Sequence, residues 1–191
     1  LSKFIDDFLL RNKQTAKMGA TIFSKLNRKL TGSDTSEQIF SSEPPAPIVP
    51  KTIFAPKLDL FDVSDVELAR QLTIREYEVY KLIEPVELLN LAWSKDKLKH
   101  RAPHVIEITN RFNLLSNWAS VQIVSTKSLR ERKAKFAKIV SLARECFKLN
   151  NFNSMKAILA GLENAAVHRL RFTKDELGNN INNEIVNMIS V

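Results

Sequence analysis

The 191-residue sequence predicts an all-α fold, on three observations. Apolar residues recur at spacings of three and four along most of the chain, no segment alternates apolar and polar residues with period two, and helix-start signals punctuate the periodic stretches. Hydrophobic residues make up 44% of the chain and charged residues 26%, enough apolar surface for a packed core.

Taken in order, Phe4, Ile5, Phe8 and Leu9, then Ile22, Phe23, Leu26 and Leu30, give residues 1–30 a helical periodicity. Residues 31–57 carry Gly32, a Ser/Thr/Asp cluster and five prolines between Pro44 and Pro56, the composition of a linker. Ser64-Asp65-Val66-Glu67 and Thr73-Ile74-Arg75-Glu76 each fit a capping box, in which a hydroxyl and a glutamate three residues on satisfy each other's backbone N–H. Two short helices in succession are expected there. Glu84-Pro85 predicts a third, from about Pro85 to Trp93, because the missing N–H of proline costs nothing in a first turn. The run KDKLKHR, residues 95–101, places its bases at every other residue, so they cannot share one helix face and a loop is expected. Pro103 opens a long helix with Ile108, Phe112, Leu115, Ala119 and Ile123 on its apolar side. Ser128 with Glu131 caps the next, whose stripe is Leu129, Phe136, Val140, Ala143 and Phe147. Asn150-Asn151-Phe152-Asn153 then breaks the chain before another apolar face, Met155, Ile158, Leu159 and Leu162. Residues 171–191 hold five asparagines between Asn179 and Asn187 and few apolar positions, so a tail without a packed helix is expected.

The chain carries 29 Lys+Arg against 21 Asp+Glu. Residues 127–148 hold Lys127, Arg130, Arg132, Lys133, Lys135, Lys138, Arg144 and Lys148 against Glu131 and Glu145, and so supply six of the eight net positive charges. Such a run most often forms a solvated helix face. A helical nucleic-acid binder is one reading of the excess, but the basic helix offers no base-reading or stacking side chain on its polar face. Another is a non-catalytic module that meets an anionic membrane surface through the same bases. The single cysteine, Cys146, allows no internal disulfide, and no apolar run approaches the roughly 18 to 20 residues of a membrane span, which favours a cytoplasmic home.

Sites of covalent chemistry are not indicated. His100 and His104 lie four apart, but Pro103 intervenes and no further ligands cluster with them, so no metal site is predicted. Cys146 has no neighbouring histidine in sequence and reads as a buried structural thiol. Gly19, Gly32, Gly161 and Gly178 are isolated, so no phosphate-cradling loop and no cofactor are implied.

Three segments carry a family resemblance: ELARQLTIREYEVYKLIEPVELLNLAWSK (67–95), HVIEITNRFNLLSNW (104–118) and LNNFNSMKAILAGLENAAVHRL (149–170). In order and spacing they resemble the first half of the catalytic domain of Ras-family guanine nucleotide exchange factors, over residues 58–170. Residues 1–30 resemble, more weakly, the end of the Ras exchanger motif that precedes that domain. The resemblance implies a multi-helical domain that is not an enzyme in the covalent sense. It grips switch II of a small GTPase of the Ras, Rap or Ral type and promotes GDP release by non-covalent remodelling. Carried over position by position, the groove draws on Trp93, Lys95, Ile108, Thr109, Asn110, Phe112, Asn113, Lys156, Glu163, Ala165 and His168. Arg70, Gln71 and Glu76 read as architecture. Lys156 and Glu163 depart from the family's larger apolar residue and small amide, and a carboxylate cannot donate the hydrogen bond an amide would. The family's nucleotide-ejecting helical hairpin has no counterpart in residues 171–191, which implies a chain that is weak or inactive alone and leaves apolar surface uncovered.

Overall fold

The computed structural model describes residues 45–190, and every regular element in them is helical. The readings of residues 1–30 and 31–44 lie outside the described residues. Residues 45–57 are irregular, and the Ile48 N–H ties them to α1 by donating to Glu67 Oε2 at 3.0 Å.

This first α-helix, α1, runs unbroken from Asp65 to Tyr80 where two short helices were expected. Ser64 stands at its N-cap without a side-chain cap bond, and the Glu67 carboxylate turns away from the cap to accept from Ile48, from Gln71 Nε2 at 2.8 Å and from Arg70 at 3.4 Å. Thr73 lies inside the helix because its hydroxyl satisfies itself on the Ala69 carbonyl at 2.7 Å, so it need not act as a cap. The expected helix at Pro85 forms as a 3-10 segment, Pro85–Ser94, interrupted by Leu89 in an extended conformation and by Asn90 and Leu91 at φ 58° and 53°. Residues 95–101 make a turn and one short 3-10 helix, Lys99–Arg101, in keeping with the loop predicted there.

The long helices follow the sequence closely. α2 spans Pro103–Val124, with proline in its first turn. α3 spans Leu129–Lys148, capped by Ser128 Oγ accepting from the Glu131 N–H at 3.4 Å. Its buried face is Phe136, Ile139, Val140, Leu142, Ala143 and Cys146, while Leu129 at the end of the predicted stripe is exposed. Four of its seven bases serve ion pairs: Lys133 with Glu176, Lys138 with Asp65, Arg144 with Glu184 and Lys148 with Glu145. The Cys146 thiol is fully buried and pushed up to about 12, by burial first and by Glu145 and Glu76 second, as a structural cysteine should be.

Asn150 takes φ 58° and Asn151 caps α4, Phe152–Leu162, by accepting from the Ser154 N–H at 3.0 Å. α4 is the central helix of the described fold, with Met155, Ala157, Ile158, Leu159 and Leu162 all buried against α2 and α3. Its approach to α2 is close enough that Gly161 faces the Ser116 carbonyl, and Ser120 Oγ donates to the Gly161 carbonyl at 2.8 Å.

The C-terminal segment corrects the expectation of an unpacked tail. A short α5, Ala165–His168, and α6, Arg171–Asp175, lead to α7, Asn179–Ile189. Leu177 and Met188 are buried, and Ile181 and Ile185 pack against the core. Asparagine is a poor helix former, but four apolar side chains on one side outweigh that propensity once a core exists to receive them.

Apolar surface is nevertheless left open. A groove of about 620 Å³ between α1, α2 and α3 is lined by Leu68, Leu72, Leu115, Trp118, Val121 and Leu142, with Val121 57% exposed.

Candidate functional site

Three buried glutamates arrange the surface. Glu67 holds the 45–57 segment to α1 as described. Glu76 accepts from Arg111 Nε at 3.2 Å and from Asn153 Nδ2 at 2.8 Å, so one carboxylate joins α1, α2 and α4. Glu87, 3% exposed, accepts from the backbone N–H groups of His104 at 2.9 Å and Val105 at 3.1 Å, and lies 2.6 Å from His104 Nδ1. Ala102, the N-cap of α2, has no side chain to offer, and Glu87 supplies the missing cap from 17 residues upstream.

Both Glu67 and Glu87 have carboxyls held below their ordinary value of 4.5. For Glu67 the Ile48 amide is the main cause, with Gln71 second; for Glu87 burial pushes upward and the hydrogen bonds from His104, Val105 and Glu84 together outweigh it. A carboxyl that is more acidic in the folded chain contributes stability above its unfolded value and loses it as pH falls through the folded one. The melting temperature should therefore hold between about pH 7 and pH 5 and fall below the ordinary carboxylate range of about 4.3, with a shallower fall in Glu67→Gln. Circular dichroism melts across that range check this, and a melting temperature that climbs on acidification contradicts it.

The sequence-predicted site residues fall into three groups. Trp93, half-buried, and Lys95, exposed, end the Pro85–Ser94 segment, which packs on α2. Ile108, Thr109, Asn110, Phe112 and Asn113 occupy two turns of α2, where Ile108 and Phe112, four apart, are half-buried and the other three are exposed. Thr109 Oγ1 is spent on the Val105 carbonyl at 2.8 Å. Among the described residues, neither Asn110 nor Asn113 makes a side-chain hydrogen bond, and the pair shares one face. Exposed Lys97 and Arg101 border this end of α2 with positive charge.

The remaining residues lie elsewhere along the α2/α4 pair. α2 and α4 run in the same direction, since the Glu76 bridge ties Arg111 to Asn153 at one end and Ser120 bonds Gly161 at the other. Ala165 and His168, exposed on α5, follow Gly161 and so belong to the Ser120 end, about 15 Å of helix rise beyond Asn110. Lys156 donates to the Met188 and Ile189 carbonyls at 3.4 and 3.1 Å, capping the C-terminus of α7, and Glu163 borders a cavity of about 330 Å³ beside Ile185 and Ile189. The structure thus packs the Pro85–Ser94 segment that carries Trp93 on α2 and sets Lys156 and Glu163 against α7. Sequence reasoning missed Glu87, although an acid three residues after Glu84-Pro85 was its visible trace.

The described residues form an all-helical domain. A family profile for the RasGEF domain matches residues 67–190. The chain is 39% identical over 177 residues to Ras guanine nucleotide exchange factor A of Dictyostelium discoideum, covering 93% of this chain and 29% of that protein. It is 41% identical over 176 residues to exchange factor I and 43% identical over 173 residues to exchange factor J of the same organism, covering 91% and 86% of this chain. The chain belongs to the RasGEF domain family. It spans under a third of the length of these relatives, at 29%, 21% and 21%. The matched region reaches residue 190, so α6 and α7 are part of the family's domain, in agreement with their packing.

Proposed function

We propose that this chain is part of a guanine nucleotide exchange factor for a Ras-family small GTPase, and that it binds the switch II region through the open face of α2 together with Trp93 and Lys95. The observation that carries the reading is the pair Asn110 and Asn113, exposed and without side-chain hydrogen bonds among the described residues, in a chain of the RasGEF family. Side-chain amides both donate and accept, so such a pair can bond the backbone of a partner segment lying along the helix. Exchange then needs no covalent step. A factor that binds the nucleotide-free GTPase more tightly than the loaded form loosens the nucleotide by the same coupling free energy. The positive rim at Lys95, Lys97 and Arg101 favours an acidic partner surface. The reading in which residues 127–148 meet an anionic membrane loses support, because four of their eight bases already serve ion pairs.

Purified Ras-, Rap- and Ral-type GTPases, each loaded with a fluorescent nucleotide or stripped of it, test this. Tighter binding of at least one stripped GTPase than of its loaded form is expected, with slight acceleration of release by the 191-residue chain alone. Equal affinity for both forms, or no binding across the panel, overturns the proposal.

A further inference from the structure

We infer that Glu87 is the positioning residue of this GTPase-binding surface, holding the Trp93 segment and the α2 face in one register; the inference rests on the function proposed above. Trp93 belongs to a 3-10 segment with little regular structure of its own, which Lys95 follows, and Ile108 to Asn113 belong to a separate long helix. Among the described residues, side-chain hydrogen bonds join the two only through Glu87, which collects the His104 N–H, the Val105 N–H and the His104 ring, with the Glu84 N–H on its own segment at 3.4 Å. Both carboxylate oxygens are thereby engaged, and the group is 3% exposed, so it has no freedom to let the segment slide.

The same segment holds the unfavourable backbone of this region. Leu91 sits at φ 53° and ψ 46°, a left-handed conformation that is strained for a residue with a Cβ and persists only where the surroundings enforce it. Glu87 anchors the chain just before this bend, and Ala92, 2% exposed, anchors it just after. Trp93 is the next residue. Its placement relative to Asn110 is therefore set by a strained bend hung between two fixed points, one of which, Glu87, is bonded to the first turn of α2.

The test uses the 191-residue chain carrying Trp118→Phe, which leaves Trp93 as the sole tryptophan. Glu87→Ala should weaken binding of a nucleotide-free Ras-type GTPase at least about tenfold, with Trp93 emission shifted to the red and more readily quenched by acrylamide. Glu87→Gln keeps the shape and an acceptor oxygen, and should stay within about threefold of the parent chain. His104→Ala removes one bond at a half-exposed site and gives an intermediate loss, which keeps the inference testable should Glu87→Ala not fold. Unchanged binding in Glu87→Ala, or a loss accompanied by unchanged Trp93 emission, overturns the inference. So does a Glu87→Gln variant as impaired as the alanine. A parent chain that binds no GTPase overturns the underlying function, and the assignment to Glu87 falls with it.

Discussion

Alanine at position 161 is expected to lower the stability of the chain by about 2–3 kcal/mol, a drop in melting temperature of roughly 5–10 °C. An added Cβ would stand 2.4 Å from the Ser116 carbonyl oxygen and 2.8 Å from the Ala119 Cβ. Neither neighbour can yield, since one is helix backbone and the other a side chain with no torsion to turn. The only relief is to separate α2 from α4, and that stretches the Ser120 bond to the Gly161 carbonyl and loosens the helix carrying Met155, Ile158 and Leu159. Thermal melts of Gly161→Ala beside the parent decide the matter, and a melting temperature within a degree of the parent would show that the crossing is slack. A branched residue such as valine at the same position should prevent folding altogether.

Replacing Asn110 and Asn113 together by alanine should do the opposite to stability while removing function. Both side chains are exposed and make no hydrogen bond among the described residues, and alanine is the better helix former by several tenths of a kcal/mol per site. The melting temperature should hold or rise slightly. Binding of a nucleotide-free Ras-type GTPase should fall about thirtyfold, on the basis of about 1 kcal/mol for each lost hydrogen bond. Calorimetric titration of the double variant measures this. Undiminished affinity would move the binding surface off this face of α2, whereas a parallel loss of stability would show that the pair serves the fold.

How far the sequence discloses this molecule depends on how local each determinant is. The starts of α2 and α3 are written within their first turns, in Pro103 and in Ser128 with Glu131, and the apolar spacing that follows declares the buried side. Thr73 with Glu76 carries the same pattern of residue types and misleads, because nothing local distinguishes a hydroxyl that caps from one that bonds the carbonyl a turn behind it. The C-terminal segment holds a readable signal in Leu177, Ile181, Ile185 and Met188, obscured by the intervening asparagines and made favourable only by a core assembled from earlier helices. The site divides along the same line. Asn110 and Asn113 follow from helix periodicity, whereas the employment of Lys156 on α7 carbonyls and of Glu87 on the α2 N-terminus depends on contacts 32 and 17 residues away.

The burial of α4 carries a consequence for the order in which the chain comes together. Each of its neighbours except the C-terminal helices is made before it, so a chain emerging from the ribosome presents α2 and α3 with their inner faces bare until about residue 162 has cleared the exit. The bond between Ser120 and Gly161 closes a span of 41 residues and the one between Glu76 and Asn153 a span of 77, so these contacts cannot form until α4 has been made. During that interval the apolar side chains of α2 and α3 that α4 will cover are exposed to water, the kind of surface on which partly folded chains aggregate.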